Sequence, residues 1–137
     1  MGTNIRYYRD GYKYQLWRLK HLGRVVLFEM NSQDPERAAS FYSSVFGWKV
    51  AEPNWGYHSV TTGNDDKSGI NGGISKGPSD FPHGIRIQIE VDNIDEALTK
   101  SVESGAQVVR GKMEFDDFYL AYLVDPVGNG IGLIQNK

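Results

Sequence analysis

The chain has 137 residues, 39% hydrophobic and 23% charged, the proportions of a single globular domain with enough apolar material for a core. It contains no cysteine, which excludes disulfides and thiolate metal sites, and no apolar run approaches the roughly 18 residues a membrane-spanning helix needs. The net charge of −2 is uneven: residues 1–24 carry six basic side chains against Asp10 alone, while the remainder carries nine basic against sixteen acidic. With no apolar secretory core near the N-terminus, the expectation is a soluble, cytoplasmic protein with a basic leader ahead of an acidic domain.

The leader comes first. Asp10-Gly11 stands between two alternating aromatic runs, the strongest short-range signal for a β-hairpin. Tyr7, Tyr8, Tyr12, Tyr14 and Trp17 crowd this segment. An isolated two-stranded hairpin is marginal in water, so it must pack on its own domain, on a dimer partner or on nucleic acid. Aromatics interleaved with Arg and Lys suit single-strand stacking and phosphate pairing, which keeps a nucleic-acid contact as an alternative to a structural extension. Residues 1–23 are therefore set apart from a domain spanning 24–137.

The domain is predicted to repeat one β-α-β-β-β unit, over residues 24–76 and again over 84–137. A strand at 25–30 leads to a helix at 35–46, with Asp34 as cap, Pro35 at the first helical position and Gly47 as the left-handed stop. Ala38, Phe41, Tyr42 and Val45 form its expected apolar stripe. Strands are predicted near 49–51, 57–62 and 69–75. In the second unit a strand at 85–91 precedes a helix from 94 to about 104, with Asn93 as cap, Glu96 as capping-box partner and Gly105 as stop. Strands at 107–113, 119–124 and 131–135 follow. The two caps are separated by almost the same number of residues as the two stops, which argues for internal duplication. Gly77-Pro78-Ser79-Asp80-Phe81-Pro82, dense in helix and strand breakers, links the units.

A strand followed by Asp34-Pro35-Glu36-Arg37-Ala38, then Phe41-Tyr42 before Val45-Phe46-Gly47-Trp48, resembles the vicinal oxygen chelate superfamily of glyoxalase I, bleomycin-resistance and extradiol-dioxygenase type proteins. Residues 122–134, with Asp125-Pro126-Val127-Gly128-Asn129-Gly130, resemble that superfamily's last hairpin. The resemblance runs from about Arg24 to the C-terminus. It implies an α+β fold in which two βαβββ units form a curled mixed sheet around a groove, with the helices outside. It also implies a small-molecule ligand and a homodimer. On such a sheet, alternation turns Val26, Phe28, Met30, Ile87, Ile89 and Val91 toward the helices. Val25, Leu27, Glu29, Arg86, Gln88 and Glu90 then face the groove.

Metal-dependent relatives place ligands at positions that correspond here to Leu27, Arg86 and Gly132, none of which can bind a cation. No metal or other cofactor is therefore expected. His21, His58 and His83 lack the paired spacing of a metal site, although His58 can reach the groove mouth. No phosphate-binding glycine loop precedes a helix, and no nucleophile elbow occurs. What remains is a polar inner surface. Arg86 and Gln88 are the expected polar contacts of a ligand, with Glu29 or Glu90 as candidate catalytic bases. Trp48, Trp55, Tyr57, Phe115, Phe118 and Tyr119 are the candidate aromatic walls. The leading expectation is metal-independent small-molecule binding; a glyoxalase-type lyase or isomerase is the alternative, and nucleic-acid contact through the leader the third.

Overall fold

A computed structural model describes residues 23–137, so the expected hairpin lies outside the described residues. Within them the order of elements repeats. The first unit is β1 (Arg24–Ser32), α1 (Pro35–Phe46), β2 (Lys49–Val50), β3 (Tyr57–Thr61) and β4 (Gly72–Lys76). The second is β5 (Gly84–Glu90), α2 (Ile94–Glu103), β6 (Gln107–Glu114), β7 (Phe118–Val124) and β8 (Gly130–Asn136).

Both helices begin where their caps place them. The Asp34 side chain accepts the Arg37 N–H at 3.1 Å, and the Asn93 side chain accepts that of Glu96 at 3.0 Å. Gly47, at φ 70°, closes α1, and its N–H donates to the Ser43 carbonyl at 3.0 Å. α2 ends one residue earlier than expected, at Glu103, with Ser104 as its C-cap and Gly105 following at φ 102°.

The eight strands form one mixed sheet in the order β2-β3-β4-β1-β5-β8-β7-β6. Each unit contributes four adjacent strands, and the units meet where β1 runs antiparallel to β5. The repeat extends to the hydrogen-bond register. Phe28 pairs with Gly72 on parallel β4, and Ile87 pairs with Ile131 on parallel β8, at the same sequence separation. Although β3 and β6 lie near opposite ends of this order, Tyr57 of β3 and Val109 and Arg110 of β6 line one cavity. The sheet is therefore strongly curled, though not closed.

The helix side of the sheet holds two apolar cores, one per unit. Met30, Ala39, Val60 and Ile74 form the first; Ile94, Ala121, Leu123 and Leu133 form the second. Burying a side chain such as Ile74 or Ile94 contributes about 1.5–3 kcal/mol. The contact line of α1 differs from the expected stripe. Ala38, Ala39 and Tyr42 meet the sheet, while Phe41 and Val45 are more than half exposed. The adjacent alanines let α1 lie close to the sheet, and Tyr42 stacks on Trp48 with ring centres 4.6 Å apart.

Candidate functional site

The concave side of the sheet encloses a cavity of about 370 Å³, within the range of small-molecule sites. Its polar centre comes from the junction of the two units. Glu29 on β1 and Arg86 on β5 are direct cross-strand partners, and both are more than nine-tenths buried. The Glu29 carboxylate accepts the Tyr122 hydroxyl, whose oxygen lies 3.0 and 3.1 Å from the two carboxylate oxygens. Burial pushes the Glu29 pKa up, opposed by this hydrogen bond and by the Arg86 charge. Tyr122 is itself pushed up, mainly by burial and then by Glu29, so its phenol stays protonated. Burial, with Glu29 adding to it, raises Tyr57 to about 12.

Arg86 packs against aromatic rings and forms no ion pair among the described residues. Its Cζ lies 4.2 Å from the Tyr122 ring centre and 4.4 Å from that of Phe81. Such cation–π contacts contribute about 0.5–2 kcal/mol each. Phe81 belongs to the linker between the units, which Asn31 secures by donating its side-chain amide to the Phe81 carbonyl at 3.3 Å. Among the described residues Arg86 forms no hydrogen bond, and its Nε is buried without a partner. Two residues along β5, Gln88 is only 1% exposed, and neither end of its amide has a partner among the described residues.

Alternate glycines on β8 make room for these long side chains. A Cβ on Gly130 would stand 3.5 Å from the Arg86 stem, and one on Gly132 would stand 2.6 Å from Gln88 Oε1. Gly73 on β4 plays the same part in the first unit, where a Cβ would overlap the Tyr57 ring. At the cavity rim, Trp55 and Gly56 form the two-residue turn of a bridge between Asn54 and Tyr57, at φ 55° and 75°. This left-handed conformation costs a non-glycine residue about 1–3 kcal/mol. It holds the Trp55 indole 99% exposed. Asp80 of the linker joins Arg110 of β6 through two hydrogen bonds, at 2.7 and 3.0 Å.

Of the residues singled out from sequence, Glu29, Trp55, Tyr57 and Arg86 line the cavity, and Gln88 lies buried next to Arg86 on the same strand face. The others lie elsewhere. Glu90 shares strand parity with Arg86 but is about 13 Å further along β5. There it accepts Arg24 Nε at 2.9 Å and the Asn136 amide at 2.8 Å. His58 points to the helix side, with Nδ1 donating to the Ala51 carbonyl at 3.0 Å and Nε2 lying 3.2 Å from Glu36. Trp48 belongs to the packing of the first core. Tyr119 packs against the second core and receives Lys112 and Lys137 over its ring. Phe115 and Phe118 stack on each other at 5.0 Å beside the β6–β7 turn. The sequence reading missed Tyr122, Phe81, Asp80 and Arg110. Tyr122 stands between Ala121 and Leu123, both buried in the second core, and so turns to the opposite face of the sheet.

The positions that would carry metal ligands by resemblance do not fit a cation. Arg86 brings a fixed positive charge, Leu27 has no donor atom, and the space over Gly132 is occupied by the Gln88 amide. Among the described residues no group of three or more His, Cys, Asp or Glu side chains is arranged to hold a metal ion. No described helix is long and apolar enough to cross a membrane.

A family model described as "Glyoxalase-like domain" matches residues 26–134. A Mycobacterium tuberculosis protein named "Putative glyoxylase CFP32" is 27% identical over 113 residues, which cover 78% of this chain and 43% of the relative. The chain thus spans less than half the length of that curated relative. A glyoxalase/bleomycin resistance protein/dioxygenase superfamily member from Vibrio splendidus 12B01 superposes with a TM-score of 0.59 at 17% identity, covering 84% of this chain and 99% of that one. Methylmalonyl-CoA epimerase from Streptomyces coelicolor gives a TM-score of 0.57 at 14% identity, covering 82% and 96%. At these identities the structural likeness shows the shared fold.

Proposed function

Because the chain belongs to the glyoxalase-like domain family, within the vicinal oxygen chelate superfamily, we propose that it is a metal-independent small-molecule-binding protein whose ligand occupies the cavity with Arg86 as polar anchor. One observation carries this proposal: a guanidinium more than nine-tenths buried in a cavity wall, with no acceptor among the described residues. A buried charge without a hydrogen-bonded counterpart is costly, and a ligand oxyanion removes that cost. Tyr57, Tyr122 and Trp55 supply apolar walls around the anchor.

The test is a thermal-shift screen of small acids and neutral aromatics, run with and without chelator and paired with native mass spectrometry. A stabilising ligand raises the melting temperature through RT ln(1 + [L]/Kd), with no effect of chelator and loss of the response in Arg86→Met. One divalent ion per chain, together with a response abolished by chelator, would overturn metal independence. A response unchanged in Arg86→Met would overturn the anchor.

A second function, a glyoxalase-type lyase or isomerase, draws on Glu29. Burial raises the pKa of this carboxyl group, which faces the cavity beside a cation able to hold a developing oxyanion. Glu90 is not available for that role, being engaged with Arg24 and Asn136. Proton exchange at a carbon next to a carbonyl, followed by NMR and lost in Glu29→Gln, would separate catalysis from binding. Members of the superfamily often form dimers, and the exposed Phe41, Val45 and Phe46 on α1 support a homodimer contact, which light scattering reads directly.

A further inference from the structure

We infer that the ligand is a small, flat monocarboxylic acid, its carboxylate set edge-on against the Arg86 guanidinium and its apolar body covered by the Trp55 indole; this rests on Arg86 being the anchor.

Three observations lead there. The first is the presentation of the cation. With the Phe81 and Tyr122 rings 4.4 and 4.2 Å from Cζ, two aromatic rings crowd the guanidinium, and its N–H groups are what it offers a ligand. Nε is buried out of reach of solvent, so the contact falls to the terminal Nη1 and Nη2 groups, which form no hydrogen bond among the described residues. An edge of parallel N–H groups matches two oxygens lying in one plane, which is the geometry of a carboxylate.

The second is charge. Arg110 is already committed to Asp80 through two hydrogen bonds, and Lys76 stands exposed at the rim. Arg86 is thus the cation buried at the cavity centre, with the Glu29 carboxyl group directly across the ladder. A phosphate dianion would bring two negative charges to one buried positive charge beside an acidic group. A single carboxylate adds one negative charge where a phosphate dianion would add two.

The third is the wall. Trp55 is held at the rim by a turn that is strained for a tryptophan and leaves its indole 99% exposed. An exposed indole beside Tyr57 at a cavity mouth is placed to stack on a flat apolar body, which would recover surface otherwise left in water.

Isothermal titration calorimetry with benzoate, trans-cinnamate, benzamide and phenyl phosphate tests this on the full chain and on Arg86→Met, Arg86→Lys and Trp55→Ala, each first checked for a cooperative melt. The carboxylates should bind at least about tenfold more tightly than benzamide. That preference should vanish in Arg86→Met, persist in weakened form in Arg86→Lys, and cinnamate should weaken several-fold in Trp55→Ala. Phenyl phosphate binding tighter than benzoate, and still dependent on Arg86, would overturn the carboxylate assignment while leaving the anchor standing. Equal binding of benzoate and benzamide, unchanged in Arg86→Met, would overturn both. Absence of carboxylate binding at about 10 mM would overturn the ligand class alone.

Discussion

Glu29 and Arg86 stand directly opposite one another across the β1–β5 ladder, yet the carboxylate is hydrogen-bonded by Tyr122 and the guanidinium is enclosed by rings. The pair is neighbourly without being a hydrogen-bonded salt bridge, and each member keeps capacity for a third group. Removing the Tyr122 hydroxyl deletes the hydrogen bond that favours the charged form of Glu29. In Tyr122→Phe the Glu29 pKa should therefore rise further. A carbon-13 titration of the side-chain carboxyl reads this. A pKa that stays put would mean the hydroxyl does little to hold the charge.

Glu29 also sets a pH dependence whose sign can be worked out. Its folded-state pKa is raised above the unfolded value, so between the two the folded chain binds the extra proton. Stability then falls as pH climbs from the ordinary carboxyl range, about 4.3–4.5, through the folded pKa. Glu29→Gln mimics the protonated form and should lack this decline. Urea unfolding near pH 4 and pH 7 should find wild type losing ground to the variant at the higher pH; parallel curves would show that burial of Glu29 carries no net cost.

Gln88 has two unpartnered amide atoms in a fully buried place. Gln88→Met keeps the length of the side chain and removes both, so the ligand-free protein should gain about 1–2 kcal/mol. Gly132→Ala should lose about 1–3 kcal/mol by overpacking against the Gln88 amide. Adding Gln88→Ala to Gly132→Ala should recover much of that loss. Denaturant melts of wild type, Gln88→Ala, Gly132→Ala and the double variant form the double-mutant cycle, and strict additivity would mean the two positions do not touch.

His58 works in the opposite half of the titration range. The Ala51 carbonyl, followed by Glu36, raises its pKa against the opposing effect of burial. A raised histidine pKa contributes stability that is complete below the unfolded value, about 6.5, and is lost as pH rises through the folded value. Wild type should thus exceed His58→Gln by more near pH 6 than near pH 8.5. A gap that widens with pH would reverse the sign and place the neutral imidazole in the fold.

The parts of the fold legible in the sequence were those decided locally. Asp34, Asn93 and Gly47 act within one helical turn, so their roles followed from residue type and spacing. Glu29 and Arg86 followed from strand parity once the sheet was known to curl around a groove. Parity gave no position along the strand, which is why Glu90 shares a face with Arg86 but lies at the other end of β5. Nor does it survive an irregular segment. Residues 51–56 separate β2 from β3, and nothing in their composition fixes which of Tyr57 and His58 turns inward. Tyr122 was obscured because β7 reads Phe-Tyr-Leu-Ala-Tyr-Leu-Val, apolar on both faces, so alternation offers no contrast. The pairing of Asp80 with Arg110 spans linker and edge strand, a distance in sequence that no local pattern reports.

Glu29 and Tyr57 come from the first unit, Arg86 and Tyr122 from the second, and the cavity lies over the seam between them. Neither half possesses the site by itself. A molecule gripping both walls acts as a rivet: the halves cannot part along β1 and β5 without first releasing it. Occupancy should therefore be felt as slower separation of the halves more than as faster assembly. The cavity belongs to the join between two units of like fold.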